Sequence, residues 1–182
     1  TKENILLTGG AGGIGVVCAE TLSDYKLIIT DYKQDIVDKT VSDLKAKGID
    51  AVGLACDISD QESIDQLVTF TKEQGKLKGI VHTAGVSGTV NNTKLVYDIN
   101  LLASYRLIQS FKAELDKGGA MVLFSSMMGH SVPANEKYDE ALRNPQKTGS
   151  FETVSQFIGG NSDILYNYTK RGVRSSTNCN TW

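Results

Sequence analysis

The chain lacks the residue patterns that mark disulfide-rich and metal-binding proteins. Its three cysteines, Cys18, Cys56 and Cys179, are odd in number and far apart, so they predict neither a disulfide framework nor a zinc site. Cys18 and Cys56 lie in apolar contexts that are typical of small buried hydrophobic residues. The two histidines, His82 and His130, have no cysteine or second histidine at ligand spacing, and we expect no metal.

Charge and hydropathy exclude two further classes of partner. With 19 basic and 21 acidic residues the formal net charge is −2, and no stretch concentrates Lys and Arg as a phosphate-binding surface would. We therefore expect no nucleic-acid partner. No apolar run approaches the roughly 20 residues that span a bilayer, and the first residues lack the apolar core of a signal peptide. We expect no membrane partner and a cytoplasmic location.

The length and the order of apolar runs predict the fold class. The 182 residues, 40% of them apolar, suffice for one sizeable core, so we predict a single domain over residues 1–182. Short apolar runs alternate with stretches of helical period; the runs are NILLT (4–8), KLIITD (26–31), DAVGLACD (50–57), GIVHTA (79–84) and AMVLFSS (120–126). This alternation predicts an α/β protein with a doubly wound parallel sheet between two layers of helices.

The stretches between the runs carry helix signals. One apolar helical face consists of Ile36, Val37, Thr40, Val41 and Leu44. That face stops at Gly48, as a glycine C-cap would end it. Ser59-Asp60-Gln61-Glu62 predicts a capping box that opens the next helix, and residues 94–115 predict a longer helix.

The regular alternation ends after Ser126. Residues 130–162 hold both prolines, several glycines and only short apolar clusters, and the stretch is too long for an ordinary loop. We predict an inserted flap with one or two short helices, near Glu136–Leu142 and Phe151–Ile158. A solvated insertion without function and a lid over a site remain equal alternatives.

A glycine-rich turn joins the first strand to the first helix. The turn is TGGAGGIG, residues 8–15, and its glycines allow backbone amides to approach a diphosphate, whose charge a helix N-terminus stabilises. Asp31 ends the second strand, where a carboxylate accepts hydrogen bonds from a ribose diol and repels a 2′-phosphate. These features indicate a Rossmann-type domain that prefers NAD to NADP. Lys33 weakens that preference slightly, and the alternative for Asp31 is an ordinary turn residue.

Six motifs together resemble those of the short-chain dehydrogenase/reductase family. The first is Thr8-Gly9-x-x-x-Gly13-Ile14-Gly15. The others follow in the family's order: Cys56-Asp57-Ile58, His82-Thr83-Ala84-Gly85, Asp98-Ile99-Asn100-Leu101, Ser125-Ser126-Met127-Met128-Gly129 and Tyr166-Asn167-Tyr168-Thr169-Lys170. The chain departs from the family at His82 and Thr83, where the family has asparagines.

The resemblance implies a set of site residues. Those implied to contact the cofactor are Gly9, Gly13, Ile14, Gly15, Asp31, Asp57, Ile58, Ala84, Gly85, Tyr166 and Lys170. Tyr166 is implied as the general acid or base, because an adjacent ammonium, that of Lys170, favours a phenolate near neutral pH. Ser126 is implied to hydrogen-bond the substrate oxygen, and Asn100 to hold a water that links Lys170 to solvent. For each residue a purely structural role is the alternative.

The choice among tyrosines rests on spacing. The family's lysine follows its tyrosine by four residues, which sets both side chains on one helical face, and only Tyr166 of the seven tyrosines has this spacing. Tyr138 lies closer to Ser126 in sequence but has Leu142 at the lysine position, so we assign it to the flap. Tyr168 points about 200° around the helix from Tyr166, and we assign it to packing.

The resemblance implies an NAD-dependent oxidoreductase that interconverts a small-molecule secondary alcohol and ketone by hydride transfer. The flap is similar to the long insertion of bacterial 3α-hydroxysteroid dehydrogenase/carbonyl reductase, which extends the expectation to steroids and other bulky carbonyl compounds. The family continues past this chain's last residues with further strands. We therefore expect a C-terminally truncated member that forms a homo-oligomer, dimer or tetramer, when full length. A nucleotide-binding module without turnover is the alternative.

Overall fold

The computed structural model describes residues 2–176, and the chain divides into two compact units. The sheet unit comprises Thr1–Ala84 and Leu107–Leu123, and the helical unit comprises Gly85–Arg106 and Phe124–Trp182. The single domain expected over residues 1–182 therefore remains a prediction. Cys179 lies outside the described residues.

The sheet unit is built on five parallel strands. They are β1 (Asn4–Thr8), β2 (Lys26–Thr30), β3 (Ala51–Gly53), β4 (Leu77–His82) and β5 (Leu115–Leu123). Their order across the sheet is β3-β2-β1-β4-β5, so the chain places β2 and β3 on one side of β1 and then reverses to place β4 and β5 on the other. With its flanking helices, this sheet confirms the predicted doubly wound, Rossmann-type fold class.

Helices occupy most of the remaining described chain. They are α1 (Gly13–Thr21), α2 (Gln34–Ala46), α3 (Gln61–Gln74), α4 (Thr93–Tyr97), α5 (Ala103–Phe111), α6 (Glu136–Arg143), α7 (Ser150–Ser155) and α8 (Ser162–Ser176). Short 3₁₀ turns cover Gly88–Val90 and Met127–His130. None of these helices is long and apolar enough to cross a membrane, within the part of the chain that the structure describes.

Strand β1 lies at the centre of the sheet, and all five of its residues are buried. Its register pairs Leu7 with Ile29 of β2 and with Val81 of β4. A core cluster on this face contains Ile5, Leu7, Ala19, Leu27, Ile29, Leu44, Ile49 and Ala51. Because helices cover both faces of such a sheet, the strand is a continuous apolar run and does not alternate with polar residues.

Capping signals set the helix ends of the sheet unit, with one correction. Gly48, with a φ of 78°, follows α2 and supplies the predicted glycine termination. The N-cap of α3 is Asp60, whose carboxylate accepts the Ser63 N–H at 3.1 Å, so the predicted capping box starting at Ser59 is wrong by one residue. The Ser59 hydroxyl instead donates to Asp57 at 2.6 Å.

The long helix predicted over residues 94–115 is interrupted. A π-helical turn over Asp98–Leu102 separates α4 from α5, and α5 ends at Phe111. Strand β5 begins earlier than the predicted residue 120, because Gly118, with a φ of 76°, allows an irregularity in its pairing with β4. The apolar pattern gave no signal for either feature.

The flap, residues 130–162, is folded and packed within the helical unit. Its helices α6 and α7 lie close to the two that the sequence predicted. Buried apolar side chains of the flap are Val132, Tyr138, Ala141, Leu142, Val154 and Ile158. The flap is therefore not a solvated loop, and α6 and α7 both pack against α8 in the same unit.

Candidate functional site

Gly9 begins the glycine-rich turn after β1, and its backbone requires a glycine. Its φ is 67°, and a Cβ there would lie 2.6 Å from the backbone nitrogen of Ala84. Ala84 follows β4, the strand beside β1. The close approach of Gly9 to Ala84 therefore shapes the turn where the strand order reverses, which is where doubly wound sheets bind their ligands.

Gly13 and Gly15 lie in the first turn of α1 and differ in their surroundings. A Cβ on Gly15 would overlap the carbonyl oxygen of Gly9, so Gly15 is required for packing. A Cβ on Gly13 would meet no atom within 4 Å, so its missing side chain leaves open space at the helix N-terminus. The first turn of α1 has no acidic residue, and Ile14 is 56% exposed. This N-terminus fits an anionic diphosphate.

Asp31 is hydrogen-bonded to the glycine-rich turn. Its Oδ2 accepts the N–H of Ala11 at 3.2 Å, and its Oδ1 accepts the N–H of Tyr32 at 2.9 Å. Each carboxylate oxygen accepts more than one hydrogen bond, so both oxygens retain capacity for a ribose diol. The ammonium of Lys33 lies 5.2 Å from the centre of the exposed Tyr32 ring.

Asp57 and Ile58 follow β3 at the same edge of the sheet. The N–H of Cys56 donates to the backbone oxygen of Asp31 at 2.9 Å, which joins this segment to the end of β2. Asp57 is exposed, and its Oδ1 accepts the N–H and the hydroxyl of Ser59. Ile58 is only 8% exposed, so protein atoms cover most of its side chain.

His82 and Thr83 tie β4 to β1, a role that the sequence reasoning missed. The hydroxyl of Thr8 lies 2.5 Å from Nδ1 of the buried His82. The hydroxyl of Thr83 donates to the backbone oxygens of Thr8 at 2.9 Å and Gly9 at 3.1 Å. Their available signal was the departure from the family's two asparagines, which left polar residues at a buried strand end.

In the helical unit, Tyr166 and Lys170 lie one turn apart on α8. The Lys170 ammonium is 5.6 Å from the centre of the Tyr166 ring and donates to the backbone oxygen of Phe124 at 2.9 Å. Lys170 is 8% exposed, and this burial lowers the pKa of its ammonium. Tyr166 is half-buried. An ammonium with little water around it acts strongly on an adjacent phenol.

Ser126 lies two residues beyond the Phe124 carbonyl that holds Lys170. It is the N-cap of the 3₁₀ turn over Met127–His130, and its Oγ accepts the N–H of Met128 at 3.2 Å. The neighbouring Ser125 hydroxyl donates to the backbone oxygen of Lys170 at 2.7 Å. The segment that carries Ser126 is thus bonded to α8 at two points within the same unit.

Asn100 lies in the π-helical turn and bonds to the segment after β4. Its Oδ1 accepts the N–H of Val86 at 2.8 Å, and its Nδ2 donates to the backbone oxygen of Val86 at 2.8 Å. A Cβ on Gly85 would lie 3.1 Å from Asn100 Oδ1 and 3.8 Å from Lys170 Nζ. The structure therefore brings Gly85, Asn100 and Lys170 together, with the side-chain amide of Asn100 bonded to backbone.

The two competing tyrosines are packed together. Tyr138, on α6, is 2% exposed, and its hydroxyl donates to the backbone oxygen of Pro133. Burial raises the pKa of the Tyr138 phenol. The Tyr138 ring meets the Tyr168 ring edge-on at 4.9 Å between centroids, and the Phe157 ring at 5.0 Å. Both tyrosines thus pack the flap against α8.

Metal ligands and reactive thiols do not converge within residues 2–176. No group of three or more His, Cys, Asp or Glu side chains is placed to hold a metal ion there. Cys56 is buried, and burial raises the pKa of its thiol, which disfavours the reactive thiolate.

The reversing parallel sheet, the glycine-rich turn and the carboxylate after β2 define a class of dinucleotide-binding α/β protein. The family model described as short chain dehydrogenase matches residues 3–139. The chain therefore belongs to the short-chain dehydrogenase family, a family of oxidoreductases, as its motifs predicted.

Two curated relatives illustrate the similarity. The chain is 30% identical over 141 residues to tropinone reductase-like 3 of Erythroxylum coca, which covers 71% of this chain and 55% of the relative. It is 26% identical over 182 residues to an (S)-acetoin-forming diacetyl reductase of Staphylococcus epidermidis, which covers 97% of this chain and 63% of the relative. The chain thus spans 55% and 63% of the lengths of these two relatives.

Two solved structures share the fold. A short-chain dehydrogenase/reductase from Burkholderia phymatum in complex with NAD matches with a TM-score of 0.71 at 19% identity, over 97% of this chain and 58% of that chain. An actinorhodin polyketide ketoreductase with NADPH matches with a TM-score of 0.72 at 23% identity, over 96% of this chain and 62% of that chain. One of these proteins holds NAD and the other NADPH.

Proposed function

We propose that this protein is an NAD-dependent carbonyl reductase or alcohol dehydrogenase with Tyr166 as its general acid and base. The observation that carries the proposal is the Tyr166–Lys170 pair on α8, in which a buried ammonium lies 5.6 Å from the phenol ring. The pair lies in the same unit as Ser126, whose segment bonds to α8. Membership of the short-chain dehydrogenase family supports the reaction class.

Each of the three side chains has a proposed part in carbonyl reduction. When bound, NADH supplies the hydride that the carbonyl carbon accepts. The Ser126 hydroxyl donates a hydrogen bond to the carbonyl oxygen and stabilises its developing negative charge. The Tyr166 hydroxyl gives that oxygen its proton, and the Lys170 ammonium stabilises the phenolate that remains. The oxidative direction uses the same groups in reverse.

The proposed role of Asn100 changes in detail with its contacts. Both polar atoms of its side-chain amide are hydrogen-bonded to the backbone of Val86. We therefore propose that a water linking Lys170 to solvent bonds to the Asn100 backbone and not to its side chain. The backbone oxygen of Asn100 accepts the Ser104 hydroxyl at 3.0 Å, and we propose this oxygen as the group that contacts such a water.

NAD is the proposed cofactor, and Asp31 is the residue that supports this choice. Its carboxylate is held beside the glycine-rich turn by the N–H of Ala11, where it accepts a ribose diol and repels a 2′-phosphate. The proposed diphosphate site is the open N-terminus of α1 at Gly13. A ketone, diketone or bulky steroid carbonyl is the proposed substrate class. The homo-oligomer and the cytoplasmic location stay predictions from the sequence.

Replacing one hydroxyl tests the catalytic proposal. Tyr166→Phe should lower kcat for carbonyl reduction about a thousandfold, because the proton donor is lost, while NADH binding changes less than about twofold. Steady-state kinetics and NADH fluorescence titration measure the two effects.

Tyr138→Phe is the matched control, because the same atom is removed from a buried tyrosine of α6. Its kcat should stay near that of the unchanged protein. A large loss in Tyr138→Phe with normal turnover in Tyr166→Phe would reverse the assignment. NADH binding without turnover of any carbonyl compound would instead favour a nucleotide-binding module.

A further inference from the structure

Helix α8 carries a second buried cation directly after Lys170. Arg171 is 9% exposed and forms a two-pronged ion pair with Asp139 of α6. Its Nε donates to Asp139 Oδ1 at 2.7 Å, and its Nη2 donates to Oδ2 at 2.8 Å. Its Nη1 donates to the backbone oxygen of Val132 at 3.2 Å. The flap is therefore bonded to α8 through three hydrogen bonds that the Arg171 guanidinium donates.

Asp139 is itself held in place within the flap. Its Oδ2 also accepts the N–H of Asn135 at 3.1 Å, and it lies in the first turn of α6, where a carboxylate is favoured. Arg171 lowers the pKa of the Asp139 carboxyl, so the pair is ionised near neutral pH. The ion pair thus joins two structured elements rather than a mobile loop and a helix.

The ion pair and the candidate catalytic groups lie on different faces of α8. At 100° per residue, Lys170 lies about 40° around the helix from Tyr166, whereas Arg171 lies about 140° from it. Tyr168 lies near the Arg171 side and packs on Tyr138 of the flap. The flap therefore contacts the face of α8 that is turned away from Tyr166.

A neighbouring side of α8 is in close contact with the turn that follows Ser126. A Cβ on Gly129, in the turn that follows Ser126, would lie 2.8 Å from the Lys170 carbonyl carbon and 2.9 Å from the Arg171 nitrogen. The helix backbone thus rests directly on the segment that carries Ser126. A rotation or shift of α8 would change the geometry between Tyr166 and Ser126, and small displacements of this kind strongly reduce turnover.

We propose that Asp139 is a positioning residue: through Arg171 it fixes the rotation of α8 and so holds Tyr166 and Lys170 toward Ser126. The inference rests on the proposed function of Tyr166. In this proposal the flap does not act by covering a site. Its packed helices contact the face of α8 that is turned away from Tyr166 and hold the helix in position. Asp139 and Arg171 themselves contact neither substrate nor cofactor in this account.

Arg171→Lys is the test substitution, because lysine keeps the charge but not the planar pair of hydrogen bonds. We expect kcat to fall about tenfold, with KM for the carbonyl compound and Kd for NADH within about twofold of the unchanged protein. Asp139→Asn should act in the same way. The Asp139→Asn/Arg171→Lys double variant should lose no more than the worse single variant, because both residues act through one contact.

Glu140→Gln is the matched control, since Glu140 is the next residue of α6 and forms an exposed ion pair with Lys147 at 3.1 Å. Its kcat should equal that of the unchanged protein. Where the single variants fold poorly, Asp139→Leu/Arg171→Met replaces the pair by apolar side chains that restore packing without the directed bonds. That variant should keep the unchanged melting temperature or exceed it, and should still show the tenfold lower kcat.

A normal kcat in Arg171→Lys, or in the folded Leu/Met double variant, would overturn the positioning role. Losses of kcat that add up in the Asp139→Asn/Arg171→Lys double variant would also overturn it. Tyr166→Phe in the same assay separates this failure from that of the proposed function. If Tyr166→Phe is inactive while the Arg171 variants are normal, the positioning role alone is wrong. If the unchanged protein has no turnover, or Tyr166→Phe retains it, the proposed function fails and the positioning role with it.

Discussion

The sheet unit and the helical unit hold their candidate site residues by different means. In the sheet unit, backbone geometry shapes the glycine-rich turn, since Gly9 has a positive φ and Gly15 packs against the Gly9 carbonyl. In the helical unit, side-chain hydrogen bonds hold α8, among them the buried contact between Asp139 and Arg171. The glycine-rich turn is thus sensitive to a side chain added at Gly9 or Gly15, and α8 is sensitive to the loss of an ion-pair partner.

The two units are therefore expected to tolerate different substitutions. A turn that is limited by backbone contact cannot accept a Cβ at certain glycines, whatever its chemistry. A buried ion pair tolerates the removal of both charges much better than the removal of one, because a single removal leaves an unpaired buried charge. In the sheet unit, a Cβ added at Gly9 or Gly15 is therefore expected to be destabilising. In the helical unit, replacing both charged residues of the ion pair is expected to be tolerated better than replacing one.

The largest effect on stability is expected in the helical unit. Asp139→Ala should lower the free energy of unfolding by about 3 kcal/mol, because it leaves the Arg171 guanidinium buried without its partner. Urea denaturation followed by circular dichroism measures the change. Glu140→Ala, on the same helix, should leave the unfolding midpoint unchanged, and equal effects of the two variants would contradict the account.

In the sheet unit the corresponding change is Gly9→Ala. It should lower the free energy of unfolding by about 2 kcal/mol, because an alanine at positive φ is strained and its Cβ would press on the Ala84 backbone. NADH binding should be lost with it. Thermal unfolding and fluorescence titration measure the two effects.

Gly13→Ala is the control in the same turn, because a Cβ there meets no atom within 4 Å. It should keep or slightly raise the stability of the protein while weakening NADH binding about tenfold, as the diphosphate would meet the added methyl group. Unchanged NADH affinity in Gly13→Ala would contradict the diphosphate site at α1.

The sequence predicted the sheet unit better than the helical unit, for physical reasons. Strand β1 and Gly48 are governed by local rules, namely an apolar run and a positive φ after a helix. The pairing of Asp139 with Arg171 depends on how the flap folds back on α8. Nothing within a few residues of either position indicates the other.

Two further features could not be predicted from the apolar pattern. The π-helical turn at Asp98–Leu102 keeps the same apolar residues as an uninterrupted helix would, so the pattern gave no indication of it. The contacts of His82 and Thr83 lie between strands that are adjacent in the sheet but distant in sequence. For the flap, the two short helices were predicted from the sequence, but whether the segment is solvated or packed was not.

A smaller effect is expected on cofactor choice. Asp31→Ala should reduce the preference for NADH over NADPH about tenfold, because it removes both the acceptor for the ribose diol and the repulsion of a 2′-phosphate. Parallel titrations with the two cofactors measure the ratio. An unchanged ratio would make Asp31 a residue that only supports the turn through Ala11.

The smallest effect is a pH dependence of stability in the helical unit. The pKa of Asp139 is lower in the folded protein than in the unfolded chain, where it is about 3.9, so its pairing stabilises the fold above that pH. This contribution is lost as the pH falls through the lower folded value. The stability difference between the unchanged protein and Asp139→Asn should therefore be full at pH 7 and shrink below about pH 4. A difference that stays constant over this range would contradict the ionised pair.

Titration of the protein with NADH and with NADPH, followed by a panel of ketones, diketones and steroid carbonyl compounds, tests the proposed function. We expect saturable binding that is tighter for NADH, then NADH oxidation with at least one carbonyl compound, and loss of that oxidation in Tyr166→Phe. Tight NADH binding without oxidation across the panel, or oxidation that Tyr166→Phe leaves intact, would show that the proposed function is wrong.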